Sequence, residues 1–195
     1  MFYRSILMPA AKKGLFKCAA ISQSHGMLSS SAQVRVRRGK LSDAKALSSV
    51  FRDSWELAYR GIIPHLHLET MIRRRNPDWW RTTIRSGDTL FVLEVAGKIA
   101  GYATCGVARA RGAQQGEIYE IYLSPLYQGL GHGEHLFEAC RYALDMRRLN
   151  GLIVWALADN DAAIAFYWRR GGRPIAKRAD KIGSAKLSKL AFAWG

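Results

Sequence analysis

Regular alternation of apolar and polar positions begins only at Val34. Val34-Arg35-Val36-Arg37 alternates with period two, which predicts a first strand. After Ser42-Asp43, a pair suited to capping a helix, apolar residues recur every three to four positions at Leu47, Val50, Phe51, Trp55 and Ala58. That is the stripe of an amphipathic helix. It must stop near Arg60-Gly61; Pro64 opens a second helix through Met71, and Asp78-Trp79-Trp80 starts a short third. Two apolar runs, Thr89 to Val95 and Ile99 to Val107, flank Ala96-Gly97-Lys98 and predict a hairpin. A polar loop from Arg109 to Gly116 precedes a strand from Glu117 to Leu123. An amphipathic helix from Gly131 to Arg148 follows, with Leu136, Cys140, Ala143 and Leu144 on one face. Leu152 to Leu157 is uniformly apolar, as expected of a strand buried on both faces. Asn160 caps a helix to Arg170, and two short strands, near Pro174-Ile175 and Lys189 to Ala193, finish the pattern. Strands and helices interleaved around one core predict an α/β fold with a mixed sheet.

Composition narrows this to one ordinary globular domain. The 195 residues are 49% apolar and 23% charged, and six Trp, eight Tyr and seven Phe need burial, which excludes a wholly disordered chain. The longest uncharged run, between Lys17 and Arg35, is full of Ser, Gln and His and cannot span a bilayer. Cys18, Cys105 and Cys140 have no CxxC spacing, so neither a disulfide framework nor a zinc ribbon is expected. A reducing, cytoplasmic setting fits them. Residues 1–33 are rich in Ser, Ala and Lys, lack acids and show no periodicity. They read as an extension to a domain at 34–195; a transit-like segment, a disordered tail, or a protein that starts at Met27 would each account for them. The formal charge of +15 is uneven, with eight of the thirty basic residues and no acid in the first 42. Such a field attracts nucleic acid, anionic lipid or a polyphosphate ligand, and is equally the mark of a basic soluble surface.

One segment carries chemistry. A strand ending at Ser124-Pro125 is followed by Gln128-Gly129-Leu130-Gly131-His132-Gly133 and then by a helix. Backbone N–H groups at such a turn, with the positive end of the helix dipole, make an anion site suited to a pyrophosphate. Glycine there avoids a Cβ that would block the phosphates. Neither a Walker loop nor a GxGxxG fingerprint fits: Gly39-Lys40 and Gly97-Lys98 are followed by Leu41 and Ile99, and the glycines at 129, 131 and 133 are spaced GxGxG.

Gln128-x-x-Gly131-x-Gly133 resembles the [QR]xxGx[GA] acetyl-CoA signature of the GNAT superfamily of N-acetyltransferases. Asn160-Asp-Ala-Ala-Ile-Ala-Phe-Tyr167-Trp-Arg-Arg-Gly171 resembles the second block of that family, and Trp55, Tyr59, Arg60, Gly61 and Pro64 a segment of many bacterial members. Two departures are Gly172-Arg173 in place of an aromatic after Gly171, which should loosen packing under the last helix, and His132 at an often aliphatic position.

The resemblance, which covers residues 34–195, implies a sheet of six to seven strands flanked by about four helices, with strands 4 and 5 splayed. It implies acetyl transfer from acetyl-CoA to a primary amine of a small molecule or peptide by direct attack in a ternary complex. Ile121, Tyr122 and Leu123 would hold the pantetheine arm and Gln128, Gly129, Leu130, Gly131, His132 and Gly133 the pyrophosphate. Asn160 would touch the arm and Tyr167 the sulfur. Tyr167 is the candidate general acid. Glu117 and Glu120 are candidate bases on the central strand, with Glu117 ranked first; ion pairs with neighbouring arginines are the competing explanation. Their spacing of three nominally sets them on opposite faces, unless a bulge intervenes. Tyr59, Arg60 and Gly61 should wall the acceptor pocket, with the loop from Arg109 to Gly116 opposite. His132 with His135, and His65 with His67, lack the partners of a metal site, so no metal is expected. Acetyl-CoA and an amine are the expected partners, with no membrane, and a homodimer stays open. A non-catalytic acyl-CoA-binding module on the same fold is the alternative. A nucleic-acid binder, suggested by Arg73-Arg74-Arg75 beside Trp79-Trp80, has less behind it.

Overall fold

The computed structural model describes residues 33–195; apart from Gln33, the extension expected at 1–33 lies outside the described residues. Seven strands form one sheet: β1 (Val34–Arg38), β2 (Thr89–Val95), β3 (Lys98–Val107), β4 (Gly116–Leu123), β5 (Leu152–Leu157), β6 (Arg173–Ile182) and β7 (Ala185–Trp194). Their order is β1-β2-β3-β4-β5-β7-β6, antiparallel throughout except for β4 beside β5. Five α-helices are described, where the apolar pattern predicts them: α1 (Ala44–Tyr59), α2 (His65–Arg74), α3 (Pro77–Arg85), α4 (His132–Asp145) and α5 (Asp161–Arg169).

The sheet divides the apolar residues into two cores. One face packs against α4 and α5 through Leu136, Phe137, Cys140, Leu144 and Tyr167. The other packs against α1, α2 and α3 through Leu47, Phe51, Trp55, Leu68 and Trp80. Alternation along β3 serves both, since Ala103 and Cys105 face α4 while Tyr102 faces α1. Each large apolar side chain so buried contributes about 1.5–3 kcal/mol. Among the described residues, no helix is long and apolar enough to cross a membrane.

Three local expectations change. Asp43 stands just before α1 but does not cap it with its side chain. Its carboxylate accepts from Arg37 Nη1 and Nη2, at 2.7 and 2.9 Å, and from the Lys40 amide at 2.7 Å, which ties β1 to the start of α1. The two closing strands are ten residues each, not short. Their length is hidden in the sequence because β6 is the sheet's border, exposed over most of its length, and has no apolar alternation to reveal it. Finally, the absence of an aromatic after Gly171 does not loosen α5. The Trp194 ring from β7 occupies the space: a Cβ on Gly172 would lie 2.5 Å from it, and Trp194 Nε1 donates to the Arg170 carbonyl at 2.7 Å.

Candidate active site

Strands β4 and β5 pair only at Gly116, Glu117 and Ile118, opposite Leu152, Ile153 and Val154. Beyond Ile118 they diverge, and the edge of β4 that faced β5 has no strand partner. A cleft of about 820 Å³ opens there, lined by α1, β4, the glycine turn, β5 and α5.

At one end lies the turn. Gly129 and Gly131 have φ of +75° and +80°, a left-handed conformation that strains residues with a Cβ. Gly131 is the cap of α4, so the turn's amides and the helix N-terminus meet at the cleft. Gly133 meets a further demand: a Cβ there would sit 2.9 Å from the Phe166 ring, so it allows α4 to close against α5. Gln128 turns its side chain back and donates from Nε2 to the Leu123 carbonyl at 2.9 Å, pinning the turn to the end of β4. Ile121, Tyr122, Leu123, Gln128, Gly129, Gly131, His132, Gly133, Asn160 and Tyr167 all line the cleft. Leu130 does not; its side chain is turned to solvent.

Tyrosines occupy the middle. Tyr59 and Tyr122 share a hydrogen bond of 2.7 Å between their hydroxyls, within a cluster of rings that includes Trp55. Burial pushes the Tyr59 phenol up, against hydrogen bonds with Tyr122 and Asn160. Burial raises Tyr122 and Tyr167 as well. Asn160 caps α5 by accepting the Ala163 amide through Oδ1 at 3.1 Å.

The two glutamates do not take opposite faces. Tyr119 is an extra residue in β4: Glu120 lies opposite Thr104 and Ile118 opposite Cys105, so the bulge absorbs one position. Glu117, opposite Gly106, therefore returns to the same face as Glu120. Glu117 is 1% exposed, accepts from the Arg109 amide at 2.8 Å and from its guanidinium at 2.5 and 3.1 Å, and does not line the cleft. Glu120 does line it, held by both nitrogens of the Arg75 fork and by the Tyr102 hydroxyl at 3.0 Å. The ion pairs weighed against base chemistry are thus both present.

The acceptor wall is rearranged too. Tyr59 lines the cleft, but Arg60 and Gly61 face a separate cavity of about 410 Å³ between the end of α1 and α2. No residue from 109 to 116 lines the cleft; Tyr119 does, with Arg109 stacked on it.

Residues 48–171 match the Acetyltransferase (GNAT) family. The chain belongs to that family. It is 29% identical over 163 residues to the uncharacterized N-acetyltransferase YuaI of Bacillus subtilis, spanning 83% of this chain and 92% of that one. It is 23% identical over 141 residues to the spermidine N(1)-acetyltransferase of Thermoplasma acidophilum, spanning 71% and 87%. Among solved structures, the PaiA N-acetyltransferase of Thermoplasma acidophilum in complex with coenzyme A superposes with a TM-score of 0.66 at 20% identity, covering 80% of this chain and 98% of that one. The protein is thus a GNAT acyltransferase, dependent on acetyl-CoA.

Two residues of this GNAT site escaped sequence reasoning. Arg75 belongs to the Arg73-Arg74-Arg75 run, yet it is 5% exposed and packed against the rings of Phe51, Trp79 and Trp80. Its removal from the surface also takes away a third of the arginine run that suggested nucleic acid. Trp155 read only as one residue of a buried strand, and its place at the fork depends on where β4 and β5 part. The Trp79-Trp80 pair beside an arginine was the one visible signal for Arg75.

Proposed function

We propose that this GNAT enzyme, through a domain spanning residues 34–195, transfers the acetyl group of acetyl-CoA to a primary amine of a small molecule or peptide, by direct attack in a ternary complex. The fork carries this reading: a single cleft runs from the positive end of α4, past unpaired β4 backbone and the Tyr167 ring, to Glu120. Bound acetyl-CoA supplies an acyl thioester. The amides of residues 128–133 suit its pyrophosphate. The free edge of β4 at Ile121, Tyr122 and Leu123, with Asn160 nearby, suits the amide groups of a pantetheine arm.

In the transfer a C–N bond forms and the C–S bond breaks. The amine loses a proton and the departing thiolate gains one. Burial keeps Tyr167 protonated, and its hydroxyl makes no hydrogen bond to other described residues, which suits it to be the donor. Glu120 is the better placed of the two glutamates for the amine's proton. Fixed by Arg75 and Tyr102, it is suited to orient a water that carries the proton away. The enzyme is taken to be cytoplasmic, with Cys105 and Cys140 buried and unbridged.

The test is release of free CoA thiol from acetyl-CoA over a panel of amines, with acetylated products identified by mass. Turnover with at least one amine supports the reading. Tight CoA binding with no turnover across the panel favours a non-catalytic acyl-CoA module.

A further inference from the structure

We propose that the acceptor is an amine that also carries a carboxylate, and that Arg178 is the residue that selects it. The inference rests on the acetyl-transfer reading above. Ile118 and Val154 are the last residues joined across β4 and β5, so Tyr119 and Trp155 are the first beyond the fork, and both line the cleft. Trp155 shares its side of β5 with Leu157, which packs into the core under α1, α2 and α3. It thus stands on the side of Tyr59 and Tyr122 rather than of α4.

Cations cover both rings. The Arg109 guanidinium carbon lies 4.4 Å from the Tyr119 ring centre. Over Trp155, just outside the cleft lining, Arg178 Cζ lies at 5.2 Å and Lys189 Nζ at 5.0 Å. Two of the three are committed, Arg109 to Glu117 and Lys189 to Asp180 at 2.5 Å. Arg178 is exposed, and no carboxylate pairs with it among the described residues. A guanidinium resting on a ring keeps its N–H fork free in its own plane, the geometry that grips a carboxylate. The hairpin of residues 173–194 holds Arg173, Lys177, Arg178, Lys181, Lys186 and Lys189 against Asp180 alone, so its field is positive.

The cleft also has carboxylates. Glu120 is already matched by Arg75, and the exposed Asp159 and Asp161 at the head of α5 share the cleft lining with Arg169 and Arg170. Asp159 and Asp161 carry no ion pair among the described residues, so a second ammonium would be drawn to them rather than to Trp155, and spermidine tests that alternative.

The experiment compares kcat/KM for matched acceptors that differ in the carboxylate: phenylalanine against phenylethylamine, 4-aminobutyrate against butylamine, and alanylglutamate against alanylglutamine amide, with spermidine as the polycation. At least one carboxylate member should exceed its partner about tenfold, the scale of a charge-assisted contact at a partly exposed site. Arg178→Gln should bring that ratio near one, and Arg178→Glu should invert it. Lys177→Gln, one position away on the same exposed strand, should leave the ratio as it was. Turnover that favours the carboxylate-free amines or spermidine, or a ratio indifferent to Arg178, overturns the proposal while leaving acetyl transfer standing. No turnover with any amine overturns both.

Discussion

Arg75 grips both carboxylate oxygens of Glu120, Nη2 to Oε1 at 2.6 Å and Nη1 to Oε2 at 2.9 Å, from a site between two tryptophans and a phenylalanine. The side chains are 6% and 12% exposed, so neither charge has enough water to replace its partner.

Removing one member should therefore cost more than a surface pair would. Arg75→Leu is expected to destabilise the fold by about 3–5 kcal/mol, a fall in Tm of roughly 6–20 °C for a domain of this size. The double variant Arg75→Leu, Glu120→Leu should recover most of that loss while staying poorly active. Thermal denaturation of the three proteins checks this; a single variant within about 1 kcal/mol of the native enzyme would show that water reaches the pair.

Tyr167→Phe should lower kcat by roughly 10²–10⁴-fold, the range for loss of a general acid. The ring and its packing on Phe166, Phe192 and Trp194 remain, so Tm and CoA affinity should hold. Steady-state kinetics beside a melting curve separates the two effects, and a near-native rate would pass the proton to water.

Acetyl-CoA at 100 times its Kd should stabilise the protein by about 2.7 kcal/mol, or roughly 5–10 °C. Gly131→Val, forced into a left-handed backbone, should diminish that shift and cost about 1–2 kcal/mol. Gly133→Leu should instead drive α4 away from Phe166 and lower Tm even without ligand. Equal behaviour of the two variants would contradict their separate roles.

Acid should undo the tie between β1 and α1. Burial alone would raise Asp43, but the Arg37 and Lys40 hydrogen bonds outweigh it and hold the carboxyl below its usual range. Arg37 also lowers Glu94, which accepts from it at 2.8 Å. Folded values below unfolded ones mean that this stabilisation is complete above about pH 5 and fades as pH falls through the carboxylate range near 4. Arg37→Gln should be less stable at pH 7 and should lose less on acidification, as melting curves from pH 7 to 3 will show.

Much of this site was legible because its parts are local. The strand, glycine turn and helix at 117–145 follow one another in the chain, and hydrophobic period with turn chemistry marks each of them. Glu117 and Glu120 were visible as residues but not as neighbours on one face, because a single extra residue at Tyr119 inverts the alternation and nothing in the sequence announces it. Arg75 had only the neighbouring Trp79-Trp80 pair to mark it. Its burial depends on α1, α3 and β4 converging on one point, and sequence spacing does not encode that convergence.

Both borders of the sheet are positively charged. β1 carries Arg35 and Arg38 beside the Arg37 that Asp43 and Glu94 neutralise, and β6 carries Arg173, Lys177, Arg178 and Lys181 against Asp180, with Pro174 withholding one backbone donor. A sheet grows when the outer strand of one molecule docks on the outer strand of another, and here every such meeting sets cation against cation. Concentrated solutions should therefore tolerate crowding at low ionic strength and associate as added salt screens the two margins.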